Sequence, residues 1–168
     1  TVNWDTNTGS VVNYDTLHTA AFNSVFTSSW DDISQQGTTQ KIDAVTGIFM
    51  YRAQYRRFPG YNVVMLCHTV DVDNTYTVGD NTNRAGVRWY ELRDNNDGVW
   101  YIYQQGTYSP DSDNSRWMGN IAMDAQGNIA LAYSFAGPSD YAGIRYTGRF
   151  KNDPLGQMTV QEQIGVEG

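Results

Sequence analysis

The sequence predicts an all-β protein made of antiparallel four-stranded units, about two and a half blades of a β-propeller in an incomplete ring. A β-sandwich is the alternative. Three observations lead there. Short apolar, aromatic-rich runs alternate with turn-forming clusters. The runs recur as a repeat. The composition is rich in Tyr and Gly and poor in charge, with 12 Tyr, 16 Gly and 17% charged residues. Between Gly86 and Arg149 the runs are Val87–Leu92, Val99–Tyr103, Trp117–Met123, Ile129–Phe135 and Ile144–Tyr146. They are separated by Asp94-Asn-Asn-Asp97-Gly98, Ser109–Ser115, Asp124–Asn128 and Gly137–Gly143. Tyr, Trp, Val and Ile suit a pleated, half-buried surface, whereas Asp, Asn, Gly and Pro accept tight turns.

Taken in order, Thr1–Tyr14 is compatible with an extended strand and a turn at Asn7–Gly9. Leu17–Phe26 is the best helix candidate, with Asp15 as N-cap, although its Ser, Thr and Asn weaken it. From Trp30 onward the pattern is β. The first full unit holds strands at Ile48–Tyr55, Asn62–Thr69, Gly86–Leu92 and Val99–Tyr103. The second holds Trp117–Met123, Asn128–Phe135, Gly143–Arg149 and Met158–Ile164. This divides the chain, read as a single domain, into a partial blade at 1–38 and blades at 39–107 and 108–168.

The repeat rests on matching tetra- and pentapeptides. Gln35-Gln36-Gly37-Thr38 recurs as Gln104-Gln105-Gly106-Thr107, and Ala85-Gly86-Val87-Arg88-Trp89 as Ala142-Gly143-Ile144-Arg145-Tyr146. Four short strands repeated every ~60–70 residues match one propeller blade per unit. Ile129–Tyr133 is strongly polar on neither parity, which predicts a strand covered on both faces. A ring needs ~4–8 blades, so this stretch cannot close one alone. It is therefore expected to pair with the remaining blades of a parent protein, or with copies of itself, through open edges.

Composition limits the partners. The net charge of −7 argues against nucleic acid and anionic membranes. No apolar run is long enough for a membrane-spanning helix. Abundant Asn, Asp, Thr, Ser and Gly is common in secreted β proteins, which suggests a secreted, extracellular or cell-surface location. The chain opens on Thr1-Val2-Asn3, which reads as a piece of a longer protein. The single cysteine, Cys67, excludes an internal disulfide and sits in an apolar run, as a buried inert thiol would.

Arg84–Gly156 resembles a family of large secreted bacterial proteins that often carry adhesion-type modules. The residues that carry this are Val87–Arg93, Tyr103–Tyr108, Arg116-Trp117-Met118-Gly119, Ile121–Asp124, Gly127–Leu131 and Ile144–Arg149, with a weaker match at Ile42-Asp43 and Met50-Tyr51-Arg52. The resemblance implies a propeller of the sialidase-like kind and no assigned activity. A structural or glycan-binding module is the function this suggests. A sialidase-like glycoside hydrolase, completed by further blades, is the second reading.

Sialidase chemistry needs three Arg on a substrate carboxylate, a Tyr nucleophile with a Glu base, and an Asp acid. Arg52, Arg56, Arg57, Arg88 and Arg145 are available, and Arg57-Phe58-Pro59 echoes an Arg-x-Pro element. Tyr90 and Glu91 are neighbours, so on a strand they face opposite sides and cannot form the pair. Asp124–Asn128 resembles the Asp-box, departing from it at Ala122 and in its spacing, and reads as a hairpin turn. Arg88-Trp89, Arg116-Trp117 and Arg145-Tyr146 recur at strand starts. They are candidates to line a glycan groove, against the alternative of packing between sheets. Asp71, Asp73 and Asp80 alternate in a loop as hard oxygen ligands suited to Ca²⁺, against the alternative of a solvated acidic loop.

Overall fold

The computed structural model describes residues 2–10, 16–24, 26, 31–50, 52–73, 83–111 and 113–168. Asp15 and Asp80 lie outside the described residues. A small hairpin pairs β1 (Val2–Asn3) with β2 (Thr8–Gly9). Two four-stranded antiparallel sheets follow. The first runs in the order β3 (Gln54–Phe58), β4 (Tyr61–Asp71), β5 (Ala85–Asp94), β6 (Trp100–Tyr108). The second comprises β7 (Ser115–Met123), β8 (Ile129–Gly137), β9 (Asp140–Arg149) and β10 (Val160–Val166), again in sequential order.

The described residues contain no helix. The helix expected over Leu17–Phe26 is therefore corrected at its described positions. Its backbone is committed elsewhere: Asn23 bridges Asp71, whose N–H donates to the Asn23 carbonyl at 2.9 Å. The Ala20 N–H donates to Gln105 Oε1 at 3.0 Å. Tertiary partners outweigh weak helix propensity here. The first strand of the first unit begins later than expected, at Gln54. Before it, Phe49 makes only an isolated bridge to His68.

The turns follow from their residues. Asp94 Oδ1 accepts from the N–H groups of Asp97 and Gly98, both at 3.0 Å. Asp124 Oδ1 accepts from Gln126 and Asn128 at 2.8 and 2.9 Å, and Gly127 adopts φ 92°, the left-handed region open to glycine. The Asp-box-like segment is thus a hairpin turn.

The two sheets share one core. Val63, Met65, Cys67, Val87 and Trp89 from the first meet Ile121, Met123, Ile129, Leu131 and Tyr133 from the second. Burial pushes the Cys67 thiol up to about 12, against a smaller opposing backbone hydrogen bond, so it stays a protonated, inert group. A second cluster joins Phe26, Ile33 and Ala44 to Ala85, Trp117 and Ala136. It fastens the chain before β3 to the sheets.

The register decides which faces meet. Arg88 lies opposite His68, and Arg145 lies opposite Tyr133, so the two arginines hold equivalent positions on the third strand of each sheet. Yet Arg88 points away from the shared core, alternating with Val87 and Trp89, which enter it. Arg145 points toward the core side, on the face of Tyr133 and Phe135. The first sheet therefore offers its Trp89 face to the Arg145 face of the second. The sheets stack head to tail, not back to back. One expectation fails: over most of its length β8 is covered on a single face. Ile129, Leu131, Tyr133 and Phe135 are buried, but on the other face Ala130 is exposed and Ala132 half-buried, and cover there reaches only the far end of the strand, at Ala136.

Candidate binding pocket and the buried ion cluster

The outer face of the first sheet carries a cavity of about 400 Å³. β4 and β5 supply His68 and Tyr90. The segments crossing over them supply Phe22 and Phe49, with Thr19, Ser24, Gly47 and Ile48 at the rim. The crossing segments are pinned by the Asn23–Asp71 bridge and by Met50 N–H donating to the Cys67 carbonyl at 2.9 Å. His68 and Tyr90 rings are stacked, with centroids 5.7 Å apart and planes at 8°. Phe22 and Phe49 meet the imidazole edge-on, at 4.9 and 5.3 Å. Both phenylalanines are accessible, 44% and 58% exposed.

The imidazole tautomer follows from its partners. Nδ1 is 3.2 Å from the Thr69 carbonyl oxygen, which only accepts, so Nδ1 carries the proton. Nε2 then accepts from the Tyr90 hydroxyl at 3.0 Å. Burial pushes His68 below its ordinary pKa, the Thr69 carbonyl opposes this, and the Arg88 charge lowers it further. The pocket wall is therefore neutral near pH 7. Among the described residues lining it, none is an acid.

Arg88 stands beside this pocket. Its guanidinium lies 5.4 Å from the Tyr90 ring centre and donates to Thr107 Oγ1 at 3.1 Å and to Gln105 Oε1. It is 7% exposed. Trp89 points the other way and is fully buried in the shared core. Trp117 is buried in the second cluster, and Tyr146 is 45% exposed on the outer face of the second sheet. The six groove candidates thus occupy several separate environments, and no single groove unites them. Neighbouring strand residues point to opposite faces, so Arg88 and Trp89 diverge.

Arg116 and Arg145 do share an environment, with partners far along the sequence. Arg116 is 1% exposed. Its Nε and Nη2 donate to both Glu162 oxygens at 2.6 and 3.0 Å, and Nη2 also reaches Asp111 Oδ2 at 2.6 Å. The Tyr133 hydroxyl donates to Glu162 Oε2 at 2.6 Å. Arg145 lies over Phe135, 4.5 Å from its centre, and 3.9 Å from Glu167. Burial is the largest influence on both carboxyls and would raise them, but the hydrogen bonds and charge of Arg116, joined by the Asn114 and Asp113 N–H groups at Asp111 and by the Tyr133 hydroxyl and the Arg145 charge at Glu162, together outweigh it and hold both below the usual carboxylate range. Burial, and then the hydrogen bond to Glu162, push Tyr133 well above the usual phenol range. A neutral phenol and two charged carboxylates around one buried cation form a closed, satisfied set that ties β7 to β10.

Asp71 and Asp73 are together in the structure. Asp71 Oδ1 accepts from the Asp73 N–H at 3.1 Å, and Oδ2 accepts from Asn23 Nδ2 at 3.1 Å. Among the described residues no group of three or more His, Cys, Asp or Glu is arranged to hold a metal. Burial raises the Asp71 carboxyl to about 6, opposed by the Asp73 N–H and reinforced by the Asp73 charge. A carboxyl raised above its unfolded value of 3.8 binds extra protons in the folded state. The stability that Asp71 itself contributes is then greatest below pH ~4, falls as pH rises toward ~6, and is flat above. Asp71→Asn is expected to abolish that fall, worth about 1–3 kcal/mol, when urea midpoints at pH 4.5 and 7.5 are compared. An unchanged pH profile in the variant refutes this account.

Phe22, Phe49 and His68 were not among the sequence candidates, and Tyr90 entered only as a tyrosine that could not pair with Glu91. The only signal for them was an aromatic Tyr90 beside Arg88 and a histidine inside an apolar run. No protein-family model, curated protein or solved structure matches the chain. No helix among the described residues is long and apolar enough to cross a membrane.

Proposed function

We propose that the chain is a non-catalytic glycan-binding module of a larger secreted or surface-exposed bacterial protein, and that its ligand seats in the Phe22–Phe49–His68–Tyr90 pocket. One observation carries the reading: an accessible, charge-neutral aromatic wall with a fixed imidazole–phenol pair at its base. A sugar ring offers an apolar face for aromatic contact and a hydroxyl that can donate to the Tyr90 oxygen, whose own proton is given to His68. A volume of about 400 Å³ is within the ordinary range for small-ligand sites. The head-to-tail stacking supports reading the two sheets as adjacent blades of a sialidase-like propeller. A calcium ion at Asp71 and Asp73 is a secondary proposal with two carboxylates in its favour.

A glycan array on the chain tests the main reading, followed by titration of the best binder. Phe49→Ala is expected to weaken binding at least tenfold, about 1.4 kcal/mol, since an aromatic contact supplies that much on burial. The side chain is 58% exposed, so melting should be unaffected. An array with no bound glycan, or full binding by the variant, overturns the proposal.

The glycoside hydrolase reading has its own observation: a Tyr133–Glu162 pair beside Arg116 and Asp111. The environment disfavours it. Arg116 is nearly inaccessible and already saturated by two carboxylates, and Tyr133 is held protonated. We read the cluster as structural.

A further inference from the structure

We propose that the outer face of the first sheet carries a second sugar-binding site next to the first, so that the ligand is a glycan of at least two rings straddling Phe22. This rests on the glycan-binding reading and specifies its ligand class. A second cavity, of about 290 Å³, lies beside the one at His68 and Tyr90. Phe22 is a wall of both. The second has Val70, 1% exposed, and Asp71 at its base, with Asn23 and Thr107 beside them. His68 in the first cavity and Val70 in the second are two residues apart on β4 and share its outer face, so the step between them is about 7 Å. That is short enough for neighbouring rings of one glycan chain. Each cavity alone is at the small end of the ~300–1,000 Å³ range of ligand sites, and the pair has room for two rings.

The polar groups of the second cavity suit a sugar, whose hydroxyls both donate and accept. Thr107 Oγ1 accepts from Arg88 Nη1 at 3.1 Å, which leaves its own proton to donate to a ligand oxygen. The Asp71 oxygens take the Asn23 amide and the Asp73 N–H, each at 3.1 Å, and keep further lone pairs for a ligand hydroxyl. Val70 and Phe22 supply the apolar contact. Arg88 ties the two sites together. It fixes Thr107 in one and lies 5.4 Å from the Tyr90 ring centre in the other. Its Nη2 also donates to the Ala20 carbonyl at 3.4 Å, which holds the Phe22 segment across the sheet between the two cavities.

The test is an array of immobilised glucose, galactose, mannose and N-acetylglucosamine beside disaccharides of the same sugars. Calorimetry then compares the best-binding disaccharide with its component monosaccharides. The disaccharide is expected to bind at least about tenfold tighter than either monosaccharide, since a second ring adds many contacting atoms. Ala21 is exposed and lines only the second cavity, so Ala21→Trp should fill that cavity. The variant is expected to bring the disaccharide down to the affinity of the monosaccharide and to leave monosaccharide binding unchanged. Thr107→Val removes the hydroxyl donor and should weaken the disaccharide about fivefold, the effect of one net hydrogen bond. It probes the same site should Ala21→Trp fail to give a wild-type circular dichroism spectrum. A disaccharide that binds no better than its monosaccharides, or that keeps wild-type affinity in the variants, overturns the second site and leaves the first in place. An array with no bound sugar, or monosaccharide binding untouched by Phe49→Ala, overturns the glycan-binding reading and this inference with it.

Discussion

Arg116→Ala is expected to lower stability by about 3–5 kcal/mol, because Glu162, whose side chain is only 20% exposed, loses its cation, whereas Asp111, 40% exposed, can turn to water. The arginine is 1% exposed, and its loss leaves Glu162 with the Tyr133 hydroxyl alone. At about 2–4 °C per kcal/mol for a chain of this size, melting should fall by roughly 10 °C. The acid limb of the stability curve should change as well. Asp111 and Glu162 are held below their unfolded pKa values, so their contribution is present above those values and is lost as pH falls through the folded ones. Removing Arg116 deletes the largest part of that contribution. The variant should therefore lose less stability than wild type between neutral pH and pH ~3. Thermal melts at the two pH values check both claims. Melting within a degree or two of wild type at neutral pH would show that the cluster contributes nothing net.

Gly106→Ala is expected to be nearly as damaging, for a different reason. Gly106 lies opposite Trp89 in the first sheet and faces the loop between β9 and β10. A Cβ there would be 2.2 Å from the Gly156 carbonyl oxygen and 2.9 Å from Trp89 Nε1. Backbone and a fully buried indole are poor candidates for moving aside. The loop must retreat, and with it goes the Gly156 N–H bond to Gln104 Oε1 at 2.9 Å. Gln104 in turn donates to Glu91, which is 1% exposed and also bonded by Arg93 Nε at 2.6 Å. Overpacking at about 1–3 kcal/mol and a disturbed buried hydrogen-bond chain at about 1–3 kcal/mol combine to roughly 2–6 kcal/mol. Urea denaturation measures it, and a loss under 1 kcal/mol sinks the argument.

The strands were legible in the sequence, because short apolar runs rich in Val, Ile, Tyr and Trp and bounded by Asp, Asn and Gly leave the backbone few alternatives. Seven of the eight strands expected in the two units overlap the observed ones along most of their length, while the Ile48–Tyr55 strand meets β3 only at Gln54-Tyr55. The sequence by itself also determined the Asp94 and Asp124 turns, whose hydrogen bonds are local, and the burial of Cys67. The tertiary structure alone decided what depends on which face a strand turns inward. Arg88 and Arg145 repeat in sequence, yet one borders an open pocket and the other the inter-sheet core, since stacked sheets offer opposite faces to each other. Likewise Arg116 needed Glu162, which follows it by three strands, and the pocket needed Phe22 and Phe49 from segments without strand pattern. The helix expected over Leu17–Phe26 lost to bonds with Asp71 and Gln105 for the same reason. Local propensity is a weak preference, and long-range hydrogen bonds and buried rings override it.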